Sequence, residues 1–226
     1  PFTFELLKKI KFENLKLKSL KYITQAGGKI SSKDQIYFYN LLKQKKIKFI
    51  IMYGATEATS RMSYLSWNKC QIKIGSIGKA IPGGRLLIER KKKIGEIIYL
   101  GKNVSLGYSI NKNDLSKGNT NKGRLNTGDI GYRDKDGFFF IVGRKKRFIK
   151  LLGHRINLDE IEKILRDNFN YQNIFCKGED EKLTIYSNKI KLNKKIINFL
   201  FKNFNINKNL VNKIYIKKIP LTISGK

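Results

Sequence analysis

Two short segments, far apart along the chain, carry residue types suited to a phosphorylated ligand. Tyr53-Gly54-Ala55-Thr56-Glu57 places a hydroxyl and a carboxylate just after an aromatic side chain and a glycine. Pro220 to Lys226 ends on a lysine that follows Gly225. A carboxylate can hold a divalent cation and an ammonium can neutralise phosphate oxygens, so together they predict a site for a nucleoside triphosphate and its metal.

Other catalytic arrangements have weaker support. His154 is the only histidine, so a Ser-His-Asp or Cys-His hydrolase is hard to build. Cys70 and Cys176 have no CxxC spacing, which argues against a metal site or a disulfide framework and favours a cytoplasmic protein. Gly225-Lys226 lacks the other residues of a Walker loop.

The first segment follows a pattern typical of a βαβ unit. An apolar strand from Leu20 is followed by a Gly27-Gly28 turn, an amphipathic helix from the Ser31 region to about Lys45, and a strand from Ile47 to Met52. The second strand ends directly at the Tyr53 segment. We therefore expect Thr56 and Glu57 at the carboxyl edge of a parallel sheet, where open α/β sheets bind ligands.

The next part of the chain, from about Ile74 to Val142, has short strands separated by Gly, Pro and Asn. The predicted strands are Arg85 to Glu89, Gly95 to Leu100, Arg124 to Tyr132 and Gly137 to Val142, with a hairpin turn at Asp134 to Gly137. This pattern predicts a small β-rich subdomain or a distorted barrel.

A third pattern begins after Gly143 and predicts a compact α+β lobe. It contains a strand from Arg147, a helix capped by Asn157, and further elements near Ile174, Leu183 to Tyr186, Lys194 to Phe204 and Lys213 to Ile216. The fold class that these patterns predict is α/β: a sheet-containing region with a β-rich subdomain, followed by a small α+β C-terminal lobe. We expect domains at 1–143 and 144–226, with a hinge in the basic stretch Arg144 to Arg147.

Five motifs stand out along the chain. They are Tyr53 to Glu57, Gly95-Glu96-Ile97 with Gly101 and Gly107-Tyr108, Thr127-Gly128-Asp129, Gly143-Arg144 through Lys150 with Gly153 to Ile156, and Pro220 to Lys226. Their order and spacing resemble those of the adenylate-forming (ANL) superfamily, and the string Tyr53 to Leu65 is most similar to AMP-forming acyl-CoA synthetase-like ligases. The chain resembles the C-terminal half of such an enzyme, which implies the end of a large sheet-containing N-terminal region with a β-rich subdomain, followed by a small mobile α+β C-terminal lobe.

The resemblance implies an ATP-dependent ligase. Such enzymes activate a small-molecule carboxylic acid as acyl-AMP and transfer the acyl group to the thiol of CoA, with ATP and Mg²⁺ as cofactors and CoA as co-substrate. It implies that Lys226 bridges the substrate carboxylate and the phosphate, that Glu57 binds the Mg²⁺, and that Thr56 donates its hydroxyl to a phosphate oxygen.

The remaining roles come from the same resemblance. Tyr53 would stack on adenine, with Gly54 and Ala55 in the same ATP-binding segment. Asp129 would accept both ribose hydroxyls, and Arg144 would contact the ribose and phosphate region. Lys146 occupies the hinge position about which the C-terminal lobe rotates between adenylation and thioester formation. Gly153 would line the tunnel for the pantetheine thiol, where the absence of a side chain lets that chain pass.

Two alternatives stay open. An acyl or aminoacyl adenylation domain would load a carrier-protein phosphopantetheine instead of CoA. A basic nucleic-acid-binding or non-catalytic scaffold protein is suggested by the net charge of +31. The excess is mostly Lys spread along the whole chain, as A/T-rich codons produce, so we expect no specific nucleic-acid partner.

We expect this chain to be part of a longer protein. It opens at Pro1 without an initiator Met, and a Ser/Thr/Gly-rich phosphate loop ordinarily lies upstream in the family. We therefore expect the 226 residues alone to be inactive and the full-length parent to be an adenylating ligase. The longest apolar runs fall far short of the roughly 20 residues of a membrane helix, so no membrane span is expected.

Overall fold

The computed structural model describes residues 2–89, 93–151, 154–169, 174–179, 182–188 and 194–217. The chain divides into two units, Pro1–Val142 and Gly143–Lys226, and the division falls within the last strand of the first unit.

The first unit begins with a helix and a parallel strand pair. Helix α1 spans Phe2–Lys9, strand β1 spans Tyr22–Gln25, helix α2 spans Ser32–Gln44 and strand β2 spans Lys48–Tyr53. Strands β1 and β2 pair in parallel, from Tyr22 beside Lys48 to Gln25 beside Ile51. The predicted βαβ unit is confirmed, whereas α1 had not been predicted.

Helix α2 forms where a cap and an apolar face coincide. Ser31 Oγ accepts a hydrogen bond from the backbone N–H of Asp34 at 3.0 Å and so begins the helix. Phe38 and Leu42 are fully buried in the same core cluster as Phe49 of β2. Burial of a side chain of this size stabilises the fold by about 2 kcal/mol, so the helix is held firmly on the sheet that carries the Tyr53 segment.

Among the described residues, one sheet of eight strands runs through the whole first unit. The strands after β2 are β3 (Ser63–Leu65), β4 (Ser76–Ala80), β5 (Arg85–Ile88), β6 (Gly95–Leu100), β7 (Arg124–Arg133) and β8 (Phe139–Arg144). The strand order is β1-β2-β3-β4-β8-β7-β6-β5, an open arrangement rather than a closed barrel. The strands of the expected β-rich subdomain therefore continue the sheet of the βαβ unit.

Strands β3 and β4 join the two halves of this sheet and were missed from the sequence. Both are short, and β3 has only three residues, too few to show an alternating pattern. Strand β3 pairs antiparallel with β2 and β4, and β4 in turn pairs with β8. These pairings bring the carboxyl end of β2 and the loops of β6 and β7 into a single layer.

The second unit is a mixed α+β unit, as predicted. Its apolar cluster includes the fully buried Ile161 and Leu165 of one helix and Ile196 and Leu200 of the other. The elements are β9 (Phe148–Leu151), β10 (His154–Asn157), α3 (Leu158–Phe169), β11 (Ile174–Glu179), β12 (Lys182–Ser187), α4 (Lys194–Phe204) and β13 (Val211–Tyr215). Strands β9 and β10 form an antiparallel pair, and β11, β12 and β13 form a second sheet.

Candidate functional site

The loop after β2 is a tight turn that Gly54 makes possible. A Cβ atom at Gly54 would lie 2.0 Å from the backbone oxygen of Ser60, a distance that no side chain tolerates. Thr59 and Ser60 both adopt the left-handed conformation, with φ of 50° and 69°. The chain therefore folds back on itself directly beyond the end of the strand. This return is closed by a hydrogen bond from Met62 N to Tyr53 O at 2.9 Å.

Tyr53 and Asp129 are in direct contact, although 76 positions separate them in the sequence. The hydroxyl of Tyr53 donates a hydrogen bond to Asp129 Oδ2 at 2.6 Å. Asp129 is 7% exposed, so this bond joins a half-buried ring to a buried carboxylate. The fold thus brings together the two residues predicted for adenine and ribose.

The turn that carries Asp129 is fixed by its own neighbours. The Thr127 hydroxyl donates to Ile97 O at 2.7 Å and accepts from Asp129 N at 3.1 Å. Gly128 adopts a φ of 72° and donates its N–H to Glu96 Oε1 at 3.0 Å. A positive φ favours glycine, which explains the Thr-Gly-Asp order. The buried Glu96 thereby holds the turn rather than facing a ligand.

Glu57 and Thr56 lie in a 3₁₀ turn, Thr56–Ala58, that follows Ala55. Thr56 is exposed and Glu57 is half-buried. The hydroxyl of Tyr108 donates to Glu57 Oε1 at 2.7 Å. This hydrogen bond to a carboxylate raises the pKa of Tyr108, with partial burial and the negative charge of Glu57 acting in the same direction. Tyr108 is therefore a neutral donor to the carboxylate near neutral pH.

Asn103 braces the same loop and was not singled out from the sequence. Its Nδ2 donates to Ala58 O at 2.8 Å and to Arg61 O at 3.0 Å. Its Oδ1 accepts from the hydroxyl of the fully buried Tyr99 at 2.7 Å. Asn103 lies between Gly101 and Gly107, two glycines of the motif, so only its position within that motif could have pointed to it.

The donor set at this edge suits a magnesium ion that a nucleotide brings with it. No group of three or more His, Cys, Asp or Glu side chains able to hold a metal occurs among the described residues. Mg²⁺ usually binds through one or two carboxylates, with water and substrate phosphates as the other ligands. Glu57 could be such a ligand, because a carboxylate has about four lone-pair sites and the bond from Tyr108 uses one of them.

A cavity of about 330 Å³ in the first unit lies away from these residues. It is lined by Ile47, Lys48 and Phe49 at the amino end of β2, together with Tyr39 and Trp67 and other side chains. Tyr53 and the loop of Glu57 are at the opposite end of that strand. The candidate site is thus an exposed edge of the sheet rather than this cavity.

Within the second unit, two of the predicted residues are described. Arg144 ends β8, and Lys146 lies in the short 3₁₀ turn Lys145–Arg147; both are exposed. Lys226 and Gly153 lie outside the described residues, so their predicted roles stay predictions. His154 begins β10.

Arg147 directly follows the predicted hinge residue, Lys146, and its side chain is bound within the second unit. Its Nε donates to Asp159 Oδ1 at 2.7 Å and its Nη1 donates to Cys176 O at 2.6 Å. Its Nη2 donates to Glu162 Oε1, and that oxygen also accepts from Cys176 N at 2.7 Å. Glu162 is 8% exposed. Arg147 is therefore fixed to α3 and β11.

Part of this chain is similar in sequence to curated CoA ligases. A 2-succinylbenzoate--CoA ligase of Bacillus cereus is 34% identical over 128 residues, which are 54% of this chain and 26% of that protein. The same ligase of Bacillus licheniformis is 33% identical over 146 residues, 62% of this chain and 30% of that protein.

The fold of the chain is similar to that of solved adenylate-forming enzymes. In fold it is similar to the o-succinylbenzoate CoA synthetase of Bacillus subtilis in complex with the acyl-adenylate intermediate, with a TM-score of 0.72 and 23% identity, covering 98% of this chain and 47% of that one. The resemblance inferred from the motifs is confirmed, as is the fold class. The chain spans less than half of the length of these relatives, and no family profile matches it.

The helices of the described residues are short or carry charged side chains. None of those within residues 2–89, 93–151, 154–169, 174–179, 182–188 and 194–217 is long and apolar enough to cross a membrane.

Proposed function

We propose that this chain supplies the nucleotide-binding edge and the C-terminal unit of an AMP-forming acid–thiol ligase. The enzyme activates a carboxylic acid with ATP as acyl-AMP and transfers the acyl group to CoA. The observation that carries this proposal is the contact of Tyr53 with Asp129 at the end of β2, on the same edge as Glu57. The sequence relationship to 2-succinylbenzoate--CoA ligases supports it.

Each candidate site residue of the first unit has a role in the proposed function. Tyr53 presents its ring to adenine while its hydroxyl orients Asp129, with Gly54 and Ala55 allowing close approach of the backbone. Asp129 accepts the two ribose hydroxyls, and charge-assisted hydrogen bonds of this kind stabilise a complex by roughly 1.5–3 kcal/mol each. Thr56 donates to a phosphate oxygen. Buried, hydrogen-bonded carboxylates suit this recognition because they are oriented before the nucleotide arrives.

Glu57 is the residue that would hold Mg²⁺. The ion supplies charge neutralisation of the phosphates when it is bound. The need for cations is clear from Coulomb's law, since a carboxylate about 4 Å from a phosphate is repelled by roughly 4 kcal/mol at an effective dielectric constant of about 20. Arg144 contributes positive charge near the ribose and phosphate, and Lys226 bridges the two reacting anions.

The second unit would change its pose about Lys146 after adenylation. In this proposal Lys226 acts in the first half-reaction, and the loop of Gly153 admits the pantetheine thiol in the second. Arg147 is bound to Asp159 and Glu162, so the backbone freedom needed for rotation ends at Lys146. This supports Lys146 as the hinge because the next residue cannot swivel independently of its unit.

The test separates the two half-reactions in the full polypeptide that the reading frame encodes. Pyrophosphate exchange measures adenylation, and thioester formation from preformed acyl-AMP measures transfer. Lys226→Ala should reduce adenylation by at least about 100-fold, as expected for loss of about 3 kcal/mol of transition-state stabilisation, and leave transfer in place. Lys146→Pro should do the reverse. Equal loss of both half-reactions in Lys226→Ala would contradict the proposal.

We assign CoA as the acceptor of the acyl group because the curated relatives are CoA ligases. The same experiment run with free CoA and with a phosphopantetheinylated carrier protein distinguishes the acceptors. We expect thioester formation with CoA, and faster transfer to the carrier protein would overturn this part of the assignment.

A further inference from the structure

Glu57 is held at both its backbone and its side chain by one short segment. Ser105 N donates to Glu57 O at 2.7 Å, and the hydroxyl of Tyr108 donates to Glu57 Oε1 at 2.7 Å. The two contacts come from positions three apart, in the loop that follows β6. A carboxylate fixed at its main chain and at one oxygen has few remaining rotamers, so the segment sets where its charge lies.

The segment is itself anchored to the residues that precede the strand carrying Asp129. Asn121 donates through Nδ2 to Ser105 O at 2.9 Å and through its backbone N–H to Leu106 O at 3.0 Å. A Cβ atom at Gly107 would lie 2.3 Å from Thr120 Oγ1, so these two stretches are in close contact. Residues 120–121 lie just before β7, which contains Asp129. The segment that holds Glu57 is thus fixed to the stretch that leads into the strand of Asp129.

Burial does not explain why Tyr108 occupies this position. Its side chain is 68% exposed, so its ring contributes little apolar burial to the fold. The specific interaction that it makes with the loop of Glu57 is the hydrogen bond from its hydroxyl. Such partners behind a metal-binding carboxylate fix its orientation, and their loss typically weakens metal affinity by roughly 10- to 100-fold.

We infer that Tyr108 is a positioning residue that orients the Glu57 carboxylate for the magnesium ion of a bound nucleotide. This inference rests on the proposed function. It adds Tyr108 to the residues of the candidate site, and Tyr108 acts there through its hydroxyl group. Tyr108 touches neither substrate nor metal in this account. Its effect passes through Glu57, so it belongs to the metal-dependent part of nucleotide binding.

The test compares Tyr108→Phe with wild type by calorimetric titration of ATP in excess Mg²⁺ and in EDTA, using the full polypeptide encoded by the reading frame. Phenylalanine keeps the exposed ring and removes the hydroxyl. We expect the affinity for ATP with Mg²⁺ to fall about 10-fold and the affinity in EDTA to be unchanged. Tyr22→Phe is the matched control, because Tyr22 is 61% exposed on β1 and lies at the amino end of that strand.

The outcomes distinguish this inference from the function on which it rests. If wild type gains affinity from Mg²⁺ and Tyr108→Phe gains as much, the positioning role is wrong while the proposed function stands. An equal loss of affinity with and without Mg²⁺ would also overturn it, because a general disturbance of the loop would act in both conditions. If wild-type binding is indifferent to Mg²⁺, the proposed function fails, and the role of Tyr108 fails with it.

Discussion

The hydroxyl of Tyr53 lies 2.6 Å from Asp129 Oδ2 and donates a hydrogen bond to it. Tyr53 ends β2 and Asp129 lies within β7, two strands that are separated in the sheet by β3, β4 and β8. A contact across that separation requires the turn at Gly128 and the end of β2 to approach each other. The pair is therefore a sensitive reporter of whether this edge is correctly assembled.

A double-mutant cycle on this pair should reveal a coupling of about 1.5 kcal/mol or more in the free energy of unfolding, the value typical of a hydrogen bond to a charged group. The variants are Tyr53→Phe, Asp129→Ala and the double mutant. Urea unfolding followed by the fluorescence of Trp67, the single tryptophan, reports on the first unit. Tyr22→Phe combined with Asp129→Ala is the control pair. Additivity within about 0.5 kcal/mol in the test pair would contradict the contact.

Gly54→Ala should destabilise the first unit by about 3 kcal/mol, the upper end of the roughly 1–3 kcal/mol that overpacking typically costs. The new Cβ would meet the backbone oxygen of Ser60 at 2.0 Å, so the loop must move as a whole. Gly83→Ala is the control, because Gly83 has a φ of 79° and no atom within 4 Å of the new Cβ. It should cost about 1–2 kcal/mol from conformation alone. If both variants lose the same free energy of unfolding, the close approach of Gly54 to the backbone of Ser60 is wrong.

Arg147→Met should destabilise the second unit by about 3–5 kcal/mol, because it removes the cation that is bonded directly to the buried carboxylate of Glu162. Each unit has one buried cysteine, Cys70 in the first and Cys176 in the second. Thiol labelling with peptide mapping therefore reports on each unit separately.

In Arg147→Met, labelling of Cys176 should accelerate while labelling of Cys70 should not change. Arg166→Met is a graded control, since Arg166 is 42% exposed at 3.6 Å from Glu162 Oε2 and should contribute about 1 kcal/mol or less. Matching rates of Cys176 labelling in Arg147→Met and wild type would argue against the anchoring role of Arg147.

The first unit should lose stability in acid partly through Asp134. Burial raises the pKa of Asp134, but hydrogen bonds from Lys73 Nζ and Phe138 N, with the lysine charge, lower it below its usual range. A carboxyl whose pKa is lower in the folded state stabilises the fold above its unfolded pKa of about 3.9. That contribution is lost as the pH falls through the lower, folded-state pKa.

Asp134→Asn should therefore be less stable than wild type at neutral pH and should show a smaller decrease in the free energy of unfolding as the pH falls from about 5 to about 2. Urea unfolding followed by the fluorescence of Trp67 at each pH in this range provides the measurement. Glu5→Gln, at an exposed carboxylate of α1 in the same unit, serves as the control. If the free energy of unfolding of Asp134→Asn falls with pH as steeply as that of wild type, Asp134 is not a source of the acid sensitivity.

The sequence alone determined the elements that have strong local signals, and it indicated candidate nucleotide-binding segments. The cap at Ser31, the apolar face of α2 and the apolar run of β2 are local signals, so the βαβ unit and the place of Glu57 after its second strand followed from them. The resemblance to adenylate-forming enzymes followed from motif order for the same reason, since each motif lies within a short stretch of the sequence.

Only the tertiary structure decided how those segments meet. The single open sheet depends on the short β3 and β4, which carry almost no periodic signal. The bonds of Tyr53 to Asp129 and of Glu57 to Tyr108 join residues 76 and 51 positions apart. Strand order and turns determine which side chains at such separations come within the roughly 3 Å of a hydrogen bond. Residue type and local pattern do not specify that distance.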